Sequence, residues 1–130
     1  MHDASVFLVD DSRPVREHLK TLLALGGGTE VVGECGSAAE AIHDIPPANP
    51  DFVVLDYALP DGTGLDVLRE VRAAVPQTRF IVLTNHASAG LRDAFAAAGA
   101  WCLLDKSYEF ARLAGLIAQR QFTLAAAKTA

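Results

Sequence analysis

The sequence predicts an α/β domain built on a doubly wound, five-stranded parallel sheet with helices on both faces. Short apolar runs alternate with helix-periodic stretches along the chain, as repeated βα units do. Val6-Phe7-Leu8-Val9, Phe52-Val53-Val54-Leu55 and Phe80-Ile81-Val82-Leu83 are continuously apolar, as strands buried on both faces are. Polar residues follow such runs at equivalent places: Asp10 and Asp11 after the first, Asp56 and Thr84 after the others, and Lys106 after Leu103-Leu104-Asp105.

The first strand, about 5–10, leads into a helix with Ser12 as N-cap, Pro14 in its first turn and an inward stripe of Val15, Leu19, Leu22 and Leu23. Gly26-Gly27-Gly28 stops it. A second strand, about 30–35, precedes Ser37, and Glu40 three residues on completes a capping-box pattern ahead of Ala41, Ile42 and Ile45. Pro46-Pro47 is expected to end that helix. The third strand, about 51–56, is followed by Leu59-Pro60-Asp61-Gly62-Thr63-Gly64, which reads as a loop. A helix through Leu65, Leu68, Val71 and Val75 then closes at Pro76. Strand four, about 79–84, precedes a helix of roughly 88–98 carrying Leu91 and Phe95 and terminated at Gly99. Strand five, about 100–104, is followed by a last helix from about 108 into the 120s with Phe110, Leu113, Leu116 and Ile117 inward. One domain over 1–130 is expected, with its core at about 4–124 and a frayed tail at 125–130.

Composition agrees with a soluble globule: 130 residues, 51% hydrophobic and 21% charged. The net charge of −5 offers no basic footprint for nucleic acid, so direct DNA binding is not expected. No basic leader or apolar run of roughly 20 residues is present, which points to a cytoplasmic chain without a membrane partner. Cys35 and Cys102 lack metal-ligand spacing and read as reduced structural thiols.

Ligand sites of open parallel sheets lie outside the strands' carboxyl ends, so the five strand-end residues converge. Asp10, Asp11 and Asp56 form an oxygen-rich cluster suited to Mg²⁺, with the backbone carbonyl of Ala58 a candidate further ligand. Asp56, at the sheet's centre, is the carboxylate best placed to attack phosphorus and form an aspartyl-phosphate. Lys106 and the Thr84 hydroxyl would then meet phosphoryl oxygens. Each residue alone has a bland alternative as a loop acid, a satisfied hydroxyl or a solvated amine. Jointly those alternatives require four coincidences at equivalent positions in different βα units.

With these residues in place the chain resembles the response-regulator receiver domains of two-component signalling over about residues 4–124. The motifs are Val9-Asp10-Asp11-Ser12, Leu55-Asp56-Tyr57-Ala58-Leu59-Pro60-Asp61-Gly62-Thr63-Gly64, Leu83-Thr84-Asn85, Ala97-Ala98-Gly99-Ala100 and Leu104-Asp105-Lys106-Ser107. The resemblance implies a flavodoxin-like strand order 2-1-3-4-5. It also implies a phosphoryl group arriving at Asp56 from a sensor histidine kinase or histidine phosphotransfer protein, and transfer and hydrolysis catalysed by the receiver itself with Mg²⁺. The expected product is a signalling protein rather than a metabolic enzyme, a single-domain regulator that addresses a downstream protein through its fourth helix, fifth strand and fifth helix.

Three positions depart from the family pattern. Leu103 replaces the aromatic residue whose rotamer switches, Asn85 stands where a small residue follows the threonine, and Ser107 replaces a frequent proline. By the period of two along a strand, Trp101 shares a side with Leu103. Trp101 either fills an edge of the core or forms with Leu103 an apolar patch for a partner or a homodimer. His86 either faces the phosphoryl site or solvent, and His18 and His43 read as surface residues. A rival is a phosphohydrolase of the haloacid dehalogenase type. That class wants its nucleophile on the first strand and a second Asp two residues on, where this chain has Ala58. A pseudo-receiver that takes no phosphate is disfavoured by the intact set of five.

Overall fold

In the computed structural model, residues 3–85, 87–106 and 112–118 are described. Five strands form the main sheet: β1 (Ala4–Val9), β2 (Thr29–Cys35), β3 (Phe52–Asp56), β6 (Arg79–Thr84) and β7 (Cys102–Asp105). All pair in parallel in the order β2-β1-β3-β6-β7, which among these five is the expected 2-1-3-4-5. Helices α1 (Arg13–Gly26), α2 (Ala38–Ala48), α3 (Gly64–Val71), α4 (Ala89–Ala98) and α5 (Leu113–Ala118) connect or follow them.

Alternate residues of each strand feed two separate cores, as the strand period requires. Val6, Leu8, Phe52, Val54, Ile81, Leu83 and Leu104 pack on Leu19 and Leu23 of α1 and Leu113 and Ile117 of α5. Phe7, Val9, Val53, Leu55, Phe80, Val82 and Leu103 pack on α2, α3 and Phe95 of α4. Both faces of the sheet are therefore covered, and every residue of the central strand β3 is buried. That burial is why its sequence is apolar without alternation.

Local signals explain most boundaries. Ser12, Ser37, Thr63 and Ser88 are N-caps whose hydroxyls accept backbone amides of α1, α2, α3 and α4. Gly27, at φ 71°, ends α1 by donating its amide to Leu23 and Ala24 carbonyls. Gly99, at φ 98°, does the same for α4.

Several expectations need correction. α2 runs through Pro46 and Pro47 to Ala48, and the Asn49 amide still donates to the Ile45 carbonyl at 2.9 Å. Proline's fixed φ is itself helical, so a pair in the last turn forfeits two donors without ending the helix. The Leu59–Gly64 stretch is not wholly loop: β4 (Ala58–Leu59) pairs antiparallel with β5 (Gly62–Thr63) around Pro60-Asp61. α3 stops at Val71 and a 3-10 turn spans Arg72–Ala74, although Val75 remains fully buried. Strand five begins at Cys102 rather than 100, so Trp101 lies ahead of it and escapes its alternation. The Trp101 ring packs on Phe52 at 5.6 Å between centroids, in the α1 and α5 core, whereas Leu103 is buried in the other core. His86, Ser107, Phe110, the stretches about 108–111 and beyond 118 expected to be helical, and the tail expected to fray lie outside the described residues.

The outer edge of the sheet carries an irregularity. Val6 pairs with Val31 but Phe7 with Gly33, so β2 has an extra residue, Val32, which is 42% exposed. Gly33 accommodates the Phe7 ring, which a Cβ there would meet at 2.5 Å.

Candidate functional site

The carboxyl ends of β1, β3, β6 and β7 open into one cavity of about 440 Å³ lined by Asp10, Asp11, Asp56, Ala58, Thr84, Asn85 and Lys106, with Ser12, Val15 and Tyr57. All the strand-end residues predicted from sequence are thus brought together. Asp10 and Thr84 are buried at 1% and 4% exposure, while Asp11 and Asn85 are exposed. Asp10 and Asp56 face their counter-ion directly. Lys106 Nζ lies 3.2 Å from Asp10 Oδ2 and 3.1 Å from Asp56 Oδ1.

Backbone bonds set this geometry. The Lys106 amide donates to the Thr84 carbonyl at 2.7 Å, tying β7 to β6 at the rim. Tyr57 donates its amide to Leu83 at 2.8 Å, and its carbonyl accepts from Gly64 at 2.7 Å. A Cβ on Gly64 would stand 2.7 Å from the Asp56 carbonyl oxygen, so only glycine allows α3 to start this close to Asp56. Thr63 and Asp66 then close a capping box.

Burial raises the Asp56 carboxyl above its ordinary pKa and the nearby Asp10 adds to the effect; Lys106 and the Ala58 amide oppose it. For Lys106, burial would lower the ammonium's pKa, but attraction to Asp56 and Asp10 outweighs it and the pKa stands above the usual lysine value. Ligand oxygens of Asp10, Asp11 and Asp56 lie within 4.8 Å of one another. Three hard oxygen donors with one lysine to offset them suit Mg²⁺, which is commonly held by one or two carboxylates together with waters and phosphate oxygens.

Residues to which the sequence assigns no separate role complete the surroundings. Arg16 Nη1 donates to the Asp10 carbonyl at 2.6 Å. Asp61 Oδ1 and Oδ2 accept the amides of Ala38 and Ala39 at 2.7 and 3.0 Å, tying the turn after β3 to the start of α2. Asp105 Oδ2 accepts the Ala87 amide at 3.4 Å. Partners 6 to 23 residues apart leave no periodic trace.

Elsewhere, His18 and His43 are exposed as expected. Neither cysteine is in a disulfide; Cys35 is buried, which pushes its thiol up to about 11, while Cys102 is half-buried. Trp101, Leu103, Arg92 and Arg112 line a groove of about 340 Å³ between α4, β7 and α5. No helix among the described residues is long and apolar enough to cross a membrane.

A five-stranded parallel sheet wound on both sides, with an acidic strand-end pocket and a lysine across it, defines the class. The chain belongs to the response regulator receiver domain family, whose model matches residues 6–118. It is 43% identical over 110 residues to the DNA-binding transcriptional activator DevR/DosR of Mycobacterium tuberculosis, covering 82% of this chain and 51% of that one. The photosynthetic apparatus regulatory protein RegA of Rhodovulum sulfidophilum is 33% identical over 104 residues, covering 80% of this chain and 56% of RegA. The chain thus spans about half the length of these curated relatives. A LuxR-family two-component response regulator from Aurantimonas superposes with a TM-score of 0.83 at 32% identity, covering 88% of this chain and 82% of that one. The signal receiver domain of the putative response regulator NarL from Mycobacterium tuberculosis gives 0.83 at 27%, covering 92% and 96%.

Proposed function

We propose that this chain is the phosphoacceptor of a two-component relay, modified at Asp56 by a sensor histidine kinase or a histidine phosphotransfer protein. The observation that carries this reading is Lys106 bridging Asp10 and Asp56 in a pocket that also holds Asp11 and Thr84. An Asp56 oxygen attacks the phosphorus of a phosphohistidine, a P–O bond forms as the P–N bond breaks, and the imidazole leaves with the bonding pair. Asp10, Asp11, Asp56 and the Ala58 carbonyl would hold Mg²⁺, which supplies positive charge to the phosphoryl oxygens when bound. Lys106 gives a second positive contact and the Thr84 hydroxyl a third partner. Asn85, exposed at the rim, is placed to affect the water that later hydrolyses the acyl phosphate.

The signal leaves through the face of α4, β7 and α5. Leu103 is 5% exposed here, so transmission rests on movement of backbone and of neighbouring side chains rather than on an aromatic rotamer. Trp101 contributes to that face from the rim of the groove, where a protein target or a second copy would dock. We further read the chain as a cytoplasmic signalling protein that, once phosphorylated, docks onto a downstream protein rather than onto nucleic acid.

The test is incubation with Mg²⁺ and a small phosphodonor, with intact mass as the readout. One acid-labile phosphoryl group per chain is expected, absent in Asp56→Asn, and beryllofluoride with Mg²⁺ should alter the fluorescence of Trp101 in the unmodified chain but not in Asp56→Asn. Sustained release of phosphate from diverse esters, without a stable adduct, would overturn the reading.

A further inference from the structure

Asp11 is exposed, and its side chain makes no hydrogen bond or ion pair among the described residues. Its direction is set by the backbone from which it projects. The Asp10 amide donates to the Cys35 carbonyl at 3.1 Å, and the Asp10 carbonyl accepts Arg16 Nη1 at 2.6 Å. That carbonyl and the Asp11 amide belong to one planar unit, so fixing the oxygen fixes the plane from which Asp11 departs.

Arg16 is itself held. Its Nε donates to Glu34 Oε1 at 2.9 Å, and its side chain is only 17% exposed. Glu34 also takes Lys20. A Cβ on Gly36 would lie 3.5 Å from both Arg16 Nη1 and the Asp11 Cα, so the guanidinium runs beside the very backbone it restrains. The pairing with Glu34 offsets the positive charge that Arg16 would otherwise set beside a cation site. Two donors at a fixed angle are needed to reach Glu34 and the Asp10 carbonyl together, which a lysine ammonium on its flexible stem does not reproduce.

We propose that Arg16 is a positioning residue for the divalent cation, holding the Asp10–Asp11 peptide so that both carboxylates reach one ion. This rests on the phosphoacceptor reading, in which those two residues hold Mg²⁺. Outer-shell partners of metal ligands typically change affinity by about 10–100-fold when removed.

The experiment titrates the chain with Mn²⁺, followed by loss of the free-ion electron paramagnetic resonance signal, and repeats it with Mg²⁺ as competitor. Melting in chelator is recorded in parallel. The unmodified chain should bind, Asp11→Asn should lose the ion, and Arg16→Met should bind about 10–100-fold more weakly. Arg16→Lys should fall between. A purely structural Arg16 would lower the melting temperature in chelator and leave the affinity of the folded protein unchanged, which overturns the proposal. If Arg16→Met does not fold, Arg16→Lys decides, and affinity equal to the unmodified chain overturns it. Failure of the unmodified chain to bind Mn²⁺ or Mg²⁺ would instead bring down the phosphoacceptor reading and this inference with it.

Discussion

The Asp61 carboxylate, in the turn that follows β3, accepts the backbone amide of Ala38 at 2.7 Å and so caps α2 from 23 residues away. The same residue lies in the turn of the hairpin that carries Ala58. Its amide bonds hold the carboxyl below the usual range, so its contribution to stability is full above the unfolded value of about 3.9 and is lost as pH falls through the lower folded value. Asp61→Asn should melt earlier than the unmodified chain at neutral pH, and the gap should close in acid. A gap independent of pH would contradict the assignment.

Lys106 is the counter-charge for two buried carboxylates. Lys106→Met should be about 1–3 kcal/mol less stable by urea unfolding in chelator, because hydrogen bonds to charged groups are lost and Asp10 and Asp56 then repel. Mg²⁺ should recover part of that loss, while phosphorylation from a small donor should remain well below that of the unmodified chain.

Asp56 sits where burial and Asp10 disfavour its charge. A carboxyl whose folded pKa is raised loses stability as pH rises through that value, so without metal its contribution is least favourable at neutral pH. A divalent ion should reverse this: at ten times its dissociation constant it adds about 1.4 kcal/mol. Melting with and without Mg²⁺ should show the shift in the unmodified chain and a much smaller one in Asp56→Asn.

Gly64 offers a steric test. A Cβ there meets the Asp56 carbonyl at 2.7 Å and Leu55 Cγ at 3.2 Å. Gly64→Ala should cost about 1–3 kcal/mol and slow phosphorylation, because relief requires β3 and α3 to part. Gly62→Ala, whose added atom stays 3.4 Å from its neighbours, should leave both nearly unchanged.

The Trp101 ring packs on Phe52 at a tilt of 54° while lining the groove beside Leu103. Trp101→Ala should therefore lose about 1–3 kcal/mol of stability, less than a fully buried aromatic. Trp101→Phe, retaining a ring over Phe52, should recover most of it in the same unfolding measurement.

The strands and the five strand-end residues were legible because both depend on local composition. A doubly covered strand must be apolar throughout, and a site at strand ends must interrupt that run with polar side chains. Pro46-Pro47 misled because the dipeptide signals an end while its φ remains helical. Trp101 misled because the strand period was extended one residue beyond the strand. Arg16, Asp61 and Asp105 were unreadable for a different reason. Each acts on a backbone atom of a residue distant in the chain, and backbone atoms carry no sequence signature.

Both free margins of the sheet are poor templates for another chain. At β2 the extra Val32 breaks the ladder halfway, and Glu30 and Glu34 stand exposed along it. At β7 the strand is four residues long and Arg92 Nη1 occupies the Leu103 carbonyl at 2.7 Å. Margins blunted in this way let copies share a crowded solution without stitching together strand to strand. Association would then be left to side-chain surfaces, which on the phosphoacceptor reading a new charge at Asp56 would reshape, rather than to backbone pairing, which it would not switch off.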